Sequence, residues 1–204
     1  IMNFKTLSLI LCVGLISGLN SCKKKGCTDP TSMAYNEEAS KDDGSCTYPA
    51  SLKKSLVFKK TATWCGYCGT WGTDFSTDLD AAYSNCQIIQ LHGDNDFETA
   101  VGDQIMDALP SAGWPHFYLG TEDVPNSYSQ LSNMVSNELS ETNEVSMAME
   151  SNVSGSTMDI RVQSKWEAGA STSGEYYLAV YVLEDGQVAS QDVHGAPSDP
   201  NRVH

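Results

Sequence analysis

Two cysteines separated by two residues, in Cys65-Gly66-Tyr67-Cys68, constrain the fold of this 204-residue chain more than any other feature. A run with β propensity, residues 55–61, precedes the pair, and apolar residues at helical spacing follow it: Trp71, Phe75, Leu79 and Ala82. The pair is therefore predicted to lie where a strand ends and a helix begins. Free N–H groups at a helix N-terminus stabilise a thiolate. We predict that Cys65 is the exposed nucleophile and Cys68 the resolving thiol.

A zinc site is the other chemistry that such a pair can serve. Zinc needs two further ligands, and the sequence has neither a second Cys-x-x-Cys nor a His pair at the usual spacing. We therefore predict no metal and no cofactor at the pair. A structural disulfide without turnover stays open as the alternative to a redox-active centre.

Further elements follow from hydrophobic periodicity. Residues 87–92 are predicted to form a buried strand, residues 97–109 an amphipathic helix, residues 116–120 a strand after Pro115, and residues 128–139 the last helix. From Val145 the period changes to alternation, with turn signals at 154–156, 168–174 and 184–186, and strands are expected around 147–149, 158–162 and 177–181. This second half is predicted to be an antiparallel β-sandwich-like domain, truncated at its C-terminus. His194 and His204 are interpreted as polar loop residues, and Cys86 as a small buried hydrophobe.

The charge is unevenly distributed. Nine lysines face five acids up to residue 60, whereas three bases face 21 acids from residue 61 onward, and the net charge is −14. So acidic a body repels phosphate backbones, which excludes nucleic acid as a partner.

The N-terminus carries an export signal. Lys5 precedes an apolar stretch over residues 7–19, which is too short to span a bilayer comfortably. The chain begins at Ile1 and ends inside a strand pattern, so we expect a piece of a longer reading frame that starts at Met2. The sequence Leu19-Asn20-Ser21-Cys22 resembles a lipobox, which implies a signal peptide over 1–21 and lipidation of Cys22; a plain secretory signal is the alternative.

Export places the remaining cysteines in an oxidising compartment. Cys27 and Cys46 bracket a polar stretch rich in turn residues, and a disulfide between them would staple a loop too small to build a core. We therefore divide the chain into an anchor and stapled spacer (22–50), an α/β domain (51–143) and a β domain (144–204). Ca²⁺ binding through Asn36, Asp42 and Asp43 is a weaker alternative for the spacer.

Residues Thr63 to Cys68 resemble a thioredoxin-superfamily active site. More narrowly, the chain resembles the outer membrane protein 28-related lipoproteins in its lipobox, in Thr61 to Cys68, in His92 at the end of the next strand, and in its β-rich C-terminal part. The resemblance implies a thioredoxin-like domain in which Pro115 is cis and lies against the cysteine pair. Trp64, Gly66, Tyr67 and Trp114, which flank the pair and this proline, are the expected substrate-binding residues.

Two positions depart from the thioredoxin pattern. Lys59 stands where thioredoxins carry a buried acid, and it either lowers the pKa of Cys65 or points to solvent. Gly69 stands where they often carry a base. The expected function is thiol–disulfide exchange on exported protein thiols or disulfides by an outer-membrane lipoprotein of the cell envelope. A non-catalytic binding lipoprotein, on the periplasmic face or the cell surface, is the alternative.

Overall fold

The structure, a computed structural model, describes residues 23–93, 97–109, 111 and 113–204. It groups the chain into two compact units: Ser51–Val145 with Trp166–His204, and the residues up to Ala50 with Ser146–Lys165. Residues 144–204, expected to form one domain, are thus distributed over both units. The expected signal peptide and Cys22 lie outside the described residues. Within those ranges, no helix is both long enough and apolar enough to cross a membrane.

The larger unit is mixed α/β and is built on a four-stranded sheet of order β2-β1-β3-β4. The strands are β1 (Ser55–Thr61), β2 (Cys86–His92), β3 (His116–Leu119) and β4 (Glu122–Val124). β1 pairs in parallel with β2 and antiparallel with β3, which pairs antiparallel with β4. Three helices connect them: α1 (Trp71–Ala82), α2 (Ala100–Ala108) and α3 (Tyr128–Ser140). The strand predicted at 87–92 and the helix predicted at 128–139 are confirmed to within one residue at each end.

Both faces of β1 are buried because helices cover each side of the sheet. Val57 packs with Leu79 of α1 and with Leu131 and Val135 of α3. Its neighbour Phe58 points to the opposite face, where it joins a second cluster that includes Ile89, Met106 and Tyr118. Successive side chains of a strand alternate between faces, so one short strand contributes to two cores.

Helix α2 is capped at both ends by residues outside it. The Thr99 hydroxyl accepts a hydrogen bond from the N–H of Gly102 at 3.0 Å, which is a normal N-cap contact. The buried Lys60 ammonium donates to the carbonyls of Met106 (3.0 Å) and Leu109 (2.9 Å) at the C-terminal end. The helix was predicted to begin at Phe97; it begins after Thr99 because that side chain satisfies a free N–H there.

The second half of the chain contributes two small antiparallel sheets. β5 (Val145–Ser154) pairs with β6 (Thr157–Trp166) across a two-residue turn, and β7 (Val188–Gln191) pairs with β8 (Asp199–Val203). The strand predicted around 177–181 is not formed, since residues 175–185 carry no ladder pairing. Alternating apolar residues make a strand only where a neighbouring backbone pairs with them. Instead, the Tyr181 ring meets the Phe58 ring edge-on at 6.0 Å.

Candidate redox site

Cys65 and Cys68 form a disulfide in the loop between β1 and α1. The pair was predicted to lie at the helix N-terminus, but α1 begins only at Trp71, and residues 66–70 form consecutive turns. Hydroxyl groups bind carbonyls of these turns: Thr73 donates to the carbonyl of Cys68 at 2.9 Å. Such side-chain bonds compete with helical backbone bonds and delay the start of the helix.

Although the pair precedes the helix, a backbone N–H within these turns points at Sγ of Cys65. The N–H of Cys68 donates to Sγ of Cys65 at 3.2 Å. Cys65 is 6% exposed and Cys68 is 1% exposed, so an incoming group can reach Cys65 first. This asymmetry agrees with the predicted roles of nucleophile and resolving thiol, which remain predictions.

Pro115 follows a cis peptide bond, as the sequence resemblance implied. The residue is fully buried. A Cβ added to Gly72, at the start of α1, would lie 2.6 Å from Cγ of Pro115, so the proline ring packs directly on the first turn of the helix. Glycine is therefore required at position 72 for this close approach.

The four predicted substrate-binding residues lie together beside the first cysteine. Trp64, Gly66, Tyr67 and Trp114 line, with Cys65, a shallow cavity of about 360 Å³. The Trp64 and Trp114 rings stack with centroids 5.4 Å apart. Trp64 and Tyr67 are 52% and 50% exposed, which leaves much of their aromatic surface available for an apolar ligand.

A segment that begins at the last residue of β7 binds the cysteine loop. We call residues 191–194 the strap. The N–H of Asp192 donates to the carbonyl of Thr63 at 2.7 Å, and the N–H of His194 donates to the carbonyl of Gly66 at 3.0 Å. The His194 ring stacks on the Tyr67 ring with centroids 4.3 Å apart. The strap thus pairs with the cysteine loop along its backbone.

The strap explains why glycine occupies position 69, which is one of the two departures from the thioredoxin pattern. A Cβ at this position would lie 2.1 Å from the carbonyl oxygen of Asp192 and 2.9 Å from Cγ of Gln191. No side chain fits there while the strap is in place. The glycine at the position that often carries a base is therefore a packing requirement of this chain.

Lys59 is the other departure from the thioredoxin pattern. It is 3% exposed, so it does not point to solvent, and its Nζ donates to Oε1 of Gln90 at 3.2 Å. Burial, together with the nearby charge of Arg202, lowers its pKa to about 8. Burial likewise lowers the pKa of His92 to about 4, helped by His204 and Lys59. Lys59 and His92 are thus buried near each other, with His204 and Arg202 close by.

The other singled-out cysteines and carboxylates do not join this site. Cys27 and Cys46 form the expected disulfide, and Cys86 is a buried free thiol whose pKa is raised by burial. The proposed Ca²⁺ ligands each accept a backbone N–H within their own turn: Asn36 from Glu38, Asp42 from Gly44, and Asp43 from Ser45. Across the described ranges, no three His, Cys, Asp or Glu side chains converge as a metal site.

Sequence reasoning missed the strap. Gln191 and Asp192 belong to no motif in the sequence, and His194 was interpreted as an ordinary loop residue. Their contacts join positions near 65 to positions near 192, and no local pattern in a single sequence reports a pairing at that separation. In the sequence around the cysteines, only the glycine at position 69 reflects the strap, because a side chain there would clash with it.

Comparisons with known proteins add little to this geometry. No family model and no curated protein sequence matches the chain. Among solved structures, HBP35 of Porphyromonas gingivalis is similar with 14% sequence identity and a TM-score of 0.43. The alignment covers 52% of this chain and 39% of that chain, so it spans well under half of the neighbour's length.

Proposed function

We propose that this chain is an exported, lipid-anchored protein with a thioredoxin-like domain that exchanges thiols and disulfides of envelope or secreted proteins through Cys65 and Cys68. The observation that carries the proposal is the arrangement at Cys65. Its Sγ accepts a backbone N–H, the residue is more exposed than Cys68, and it borders a cavity lined by aromatic side chains. The mixed sheet with helices on both faces is consistent with a thioredoxin-like fold.

The exchange with the substrate uses only the two cysteines of this chain. In the reducing direction, the Cys65 thiolate attacks one sulfur of a substrate disulfide, forming a mixed disulfide and releasing the other substrate sulfur as a thiolate. The Cys68 thiolate then attacks Sγ of Cys65, which forms the Cys65–Cys68 bond and releases the second substrate thiolate. Each leaving thiolate takes a proton from the Cys68 thiol or from water. Two electrons pass to the substrate, and an external dithiol restores the protein; the reverse order oxidises a substrate dithiol.

The active-site loop contributes electrostatics to this step. The N–H of Cys68 that reaches Sγ of Cys65 stabilises negative charge there, which favours the thiolate over the thiol. The nearby Trp64 and Trp114 rings supply apolar contact area on one flank. An extended, uncharged substrate segment next to the reacting disulfide suits this flank best.

The membrane anchor is part of the proposal on sequence grounds alone. Acylation of Cys22 would hold the domain at a membrane surface, because each buried CH₂ contributes ~0.8 kcal/mol. Acyl chains on Cys22 should appear as an added mass on the N-terminal peptide. Replacing Cys22 with Ser should move the protein to the soluble fraction, and an unchanged distribution would contradict the anchor.

Insulin reduction by dithiothreitol tests the catalytic part. The unaltered protein should accelerate precipitation of the insulin B chain, and Cys65→Ser should abolish the acceleration. Cys86→Ser is the matched control, since it removes a buried thiol outside the site and should retain the rate. Equal and negligible rates for the unaltered protein and Cys65→Ser would contradict the proposal.

A binding role without turnover is the second candidate. One observation favours it: the strap covers one side of the cysteine loop, and both cysteines are largely buried. In that case the Cys65–Cys68 bond should resist reduction by glutathione, and Cys65→Ser should leave binding to envelope components intact.

A further inference from the structure

The side chain of Gln191 lies at the centre of several backbone carbonyls. Its Nε2 is 3.2 Å from the carbonyl oxygen of Ala62 and 3.0 Å from those of Thr63, Cys65 and Asp192. Gln191 is itself buried. The two hydrogens of this one amide nitrogen are therefore shared among four backbone carbonyls, three of which belong to the segment that carries Cys65.

These carbonyls matter because of where they lie. The carbonyl of Cys65 also accepts the N–H groups of Cys68 (3.0 Å) and Gly69 (3.2 Å), so its position fixes the turn whose N–H reaches Sγ of Cys65. Carbonyl oxygens carry partial negative charge, which opposes a thiolate nearby. The amide hydrogens of Gln191 offset that charge and hold the turn in one arrangement.

The backbone of the strap is attached independently of this side chain. Asp192 and His194 bind the loop through their own N–H groups, and the His194 ring stacks on Tyr67. A change at Gln191 therefore removes the amide while those strap contacts are kept. This separates the effect of the amide from that of losing the strap.

We propose that Gln191 is a positioning residue of the Cys65–Cys68 centre: its buried amide fixes the carbonyls of Ala62, Thr63 and Cys65 and thereby stabilises the Cys65 thiolate. This inference rests on the proposed function, since a stabilised thiolate serves disulfide exchange. It assigns a role in the chemistry to a segment far along the chain that has no sequence motif.

Titratable groups are also present in the loop and in the elements that adjoin it in the chain or bind to it. They come from every element that borders it: Lys59 on β1, Tyr67 in the loop itself, Asp74 at the start of α1, His116 after Pro115, and Asp192 and His194 in the strap. All of them are retained in variants of Gln191. A comparison among those variants therefore reports the amide.

The test is the pH profile of Cys65 alkylation in the full chain. Iodoacetamide modifies Cys65 in a Cys68→Ser background after mild reduction, and mass spectrometry of the Cys65 peptide follows the rate from pH 4 to 9. Gln191→Met keeps the length of the side chain and removes its donors. Gln191→Lys keeps donors and adds positive charge. Gln187→Met and Gln187→Lys are the matched controls, because Gln187 lies just before β7 and its carbonyl accepts the N–H of His204, the residue after β8.

The two variants should move the profile in opposite directions. We expect Gln191→Met to lower the rate at pH 6 about fivefold, the effect of one hydrogen bond, and Gln191→Lys to raise it, with no change for the Gln187 controls. Rates equal to the parent, or a shift of both Gln191 variants in the same direction, would overturn the inference. Insulin reduction by the unaltered protein is measured separately. If the protein does not reduce insulin but the Gln191 variants shift the alkylation profile, only the proposed function is contradicted. If it reduces insulin but the profile does not shift, only the role of Gln191 is contradicted.

Discussion

The imidazole ring of His194 lies over the phenol ring of Tyr67, with centroids 4.3 Å apart, although Tyr67 belongs to the loop after β1 and His194 to the loop after β7. The backbone of the same histidine donates to the carbonyl of Gly66. One residue of the strap thus binds the two residues that separate the cysteines.

His194→Ala should loosen the strap. An aromatic pair contributes ~0.5–1.5 kcal/mol beyond its buried area, so we expect the amide of residue 194 to exchange with deuterium several-fold faster. Hydrogen exchange with mass spectrometry of peptides that cover 63–70 and 188–196 measures this. Asn201→Ala on β8, which keeps the ring stack, is the control; equal exchange in both variants would contradict the role of the stack.

Gly69→Ala should displace the strap more strongly. The added methyl group would lie 2.1 Å from the carbonyl oxygen of Asp192, a backbone atom that cannot move alone. Overpacking of this kind costs ~1–3 kcal/mol, which urea unfolding should show as a lower midpoint. Gly113→Ala is the control, since a Cβ there meets nothing within 4 Å. A Gly69→Ala protein as stable as the control would show that the strap does not press on this position.

Lys59 should make stability depend on pH in the alkaline range. Its pKa is about 8 in the folded chain and near 10.5 when unfolded, so the unfolded chain binds more protons between these values. Stability should therefore rise as the pH increases from 8 to 10.5. Lys59→Met removes a cost on the order of 3 kcal/mol below pH 8 and should be more stable there, with the gain vanishing near pH 10.5.

Urea unfolding of Lys59→Met at pH 7, 9 and 10 checks this expectation. Lys54→Met, which changes an exposed lysine just before β1, is the control and should behave like the unaltered protein at each pH. A Lys59→Met protein that is less stable at pH 7 would mean that the bond to Gln90 outweighs the cost of burial.

His92 should contribute to acid sensitivity. Its pKa is lowered to about 4 by burial, so the unfolded chain binds an extra proton between pH 4 and 6.5. Stability should fall through that window as the pH drops, by on the order of 2–3 kcal/mol. His92→Phe should flatten this part of the profile, as measured by thermal unfolding from pH 7 to 4. His194→Phe is a control at an exposed histidine; an identical acid profile in both would contradict the assignment.

The sequence predicts the elements near the cysteines well because their signals are local. Trp71, Phe75 and Leu79 recur at helical spacing, and α1 buries that stripe against the sheet. Other features depend on residues far away in the chain. Lys59 is buried and donates to Gln90, and the charge of Arg202, far along the chain, helps to lower its pKa. The apolar run at 177–181 stays outside any strand because no backbone pairs with it. Neither the charge of Lys59 nor the alternation of apolar residues at 177–181 is enough to predict these two outcomes from the sequence.

The first residue of α1 lies later in the chain than predicted. The cysteine pair was expected at the helix N-terminus, where free N–H groups stabilise a thiolate. The structure obtains a similar contact from a turn, because the N–H of Cys68 reaches Sγ of Cys65 before the helix begins. A backbone donor therefore reaches Sγ of Cys65 although the predicted element boundary was wrong, and its effect on a thiolate stays a prediction.

The most direct test of the central claim is the capture of a mixed disulfide on Cys65. Reduced Cys68→Ser protein is mixed with a short disulfide-bonded peptide that has an aromatic residue beside its cysteine, and the adduct is located by mass spectrometry. We predict that the mass of one peptide half is added at Cys65, and that the Cys65→Ser, Cys68→Ser double variant gains none. An adduct at Cys86, or no adduct at Cys65, would contradict the account.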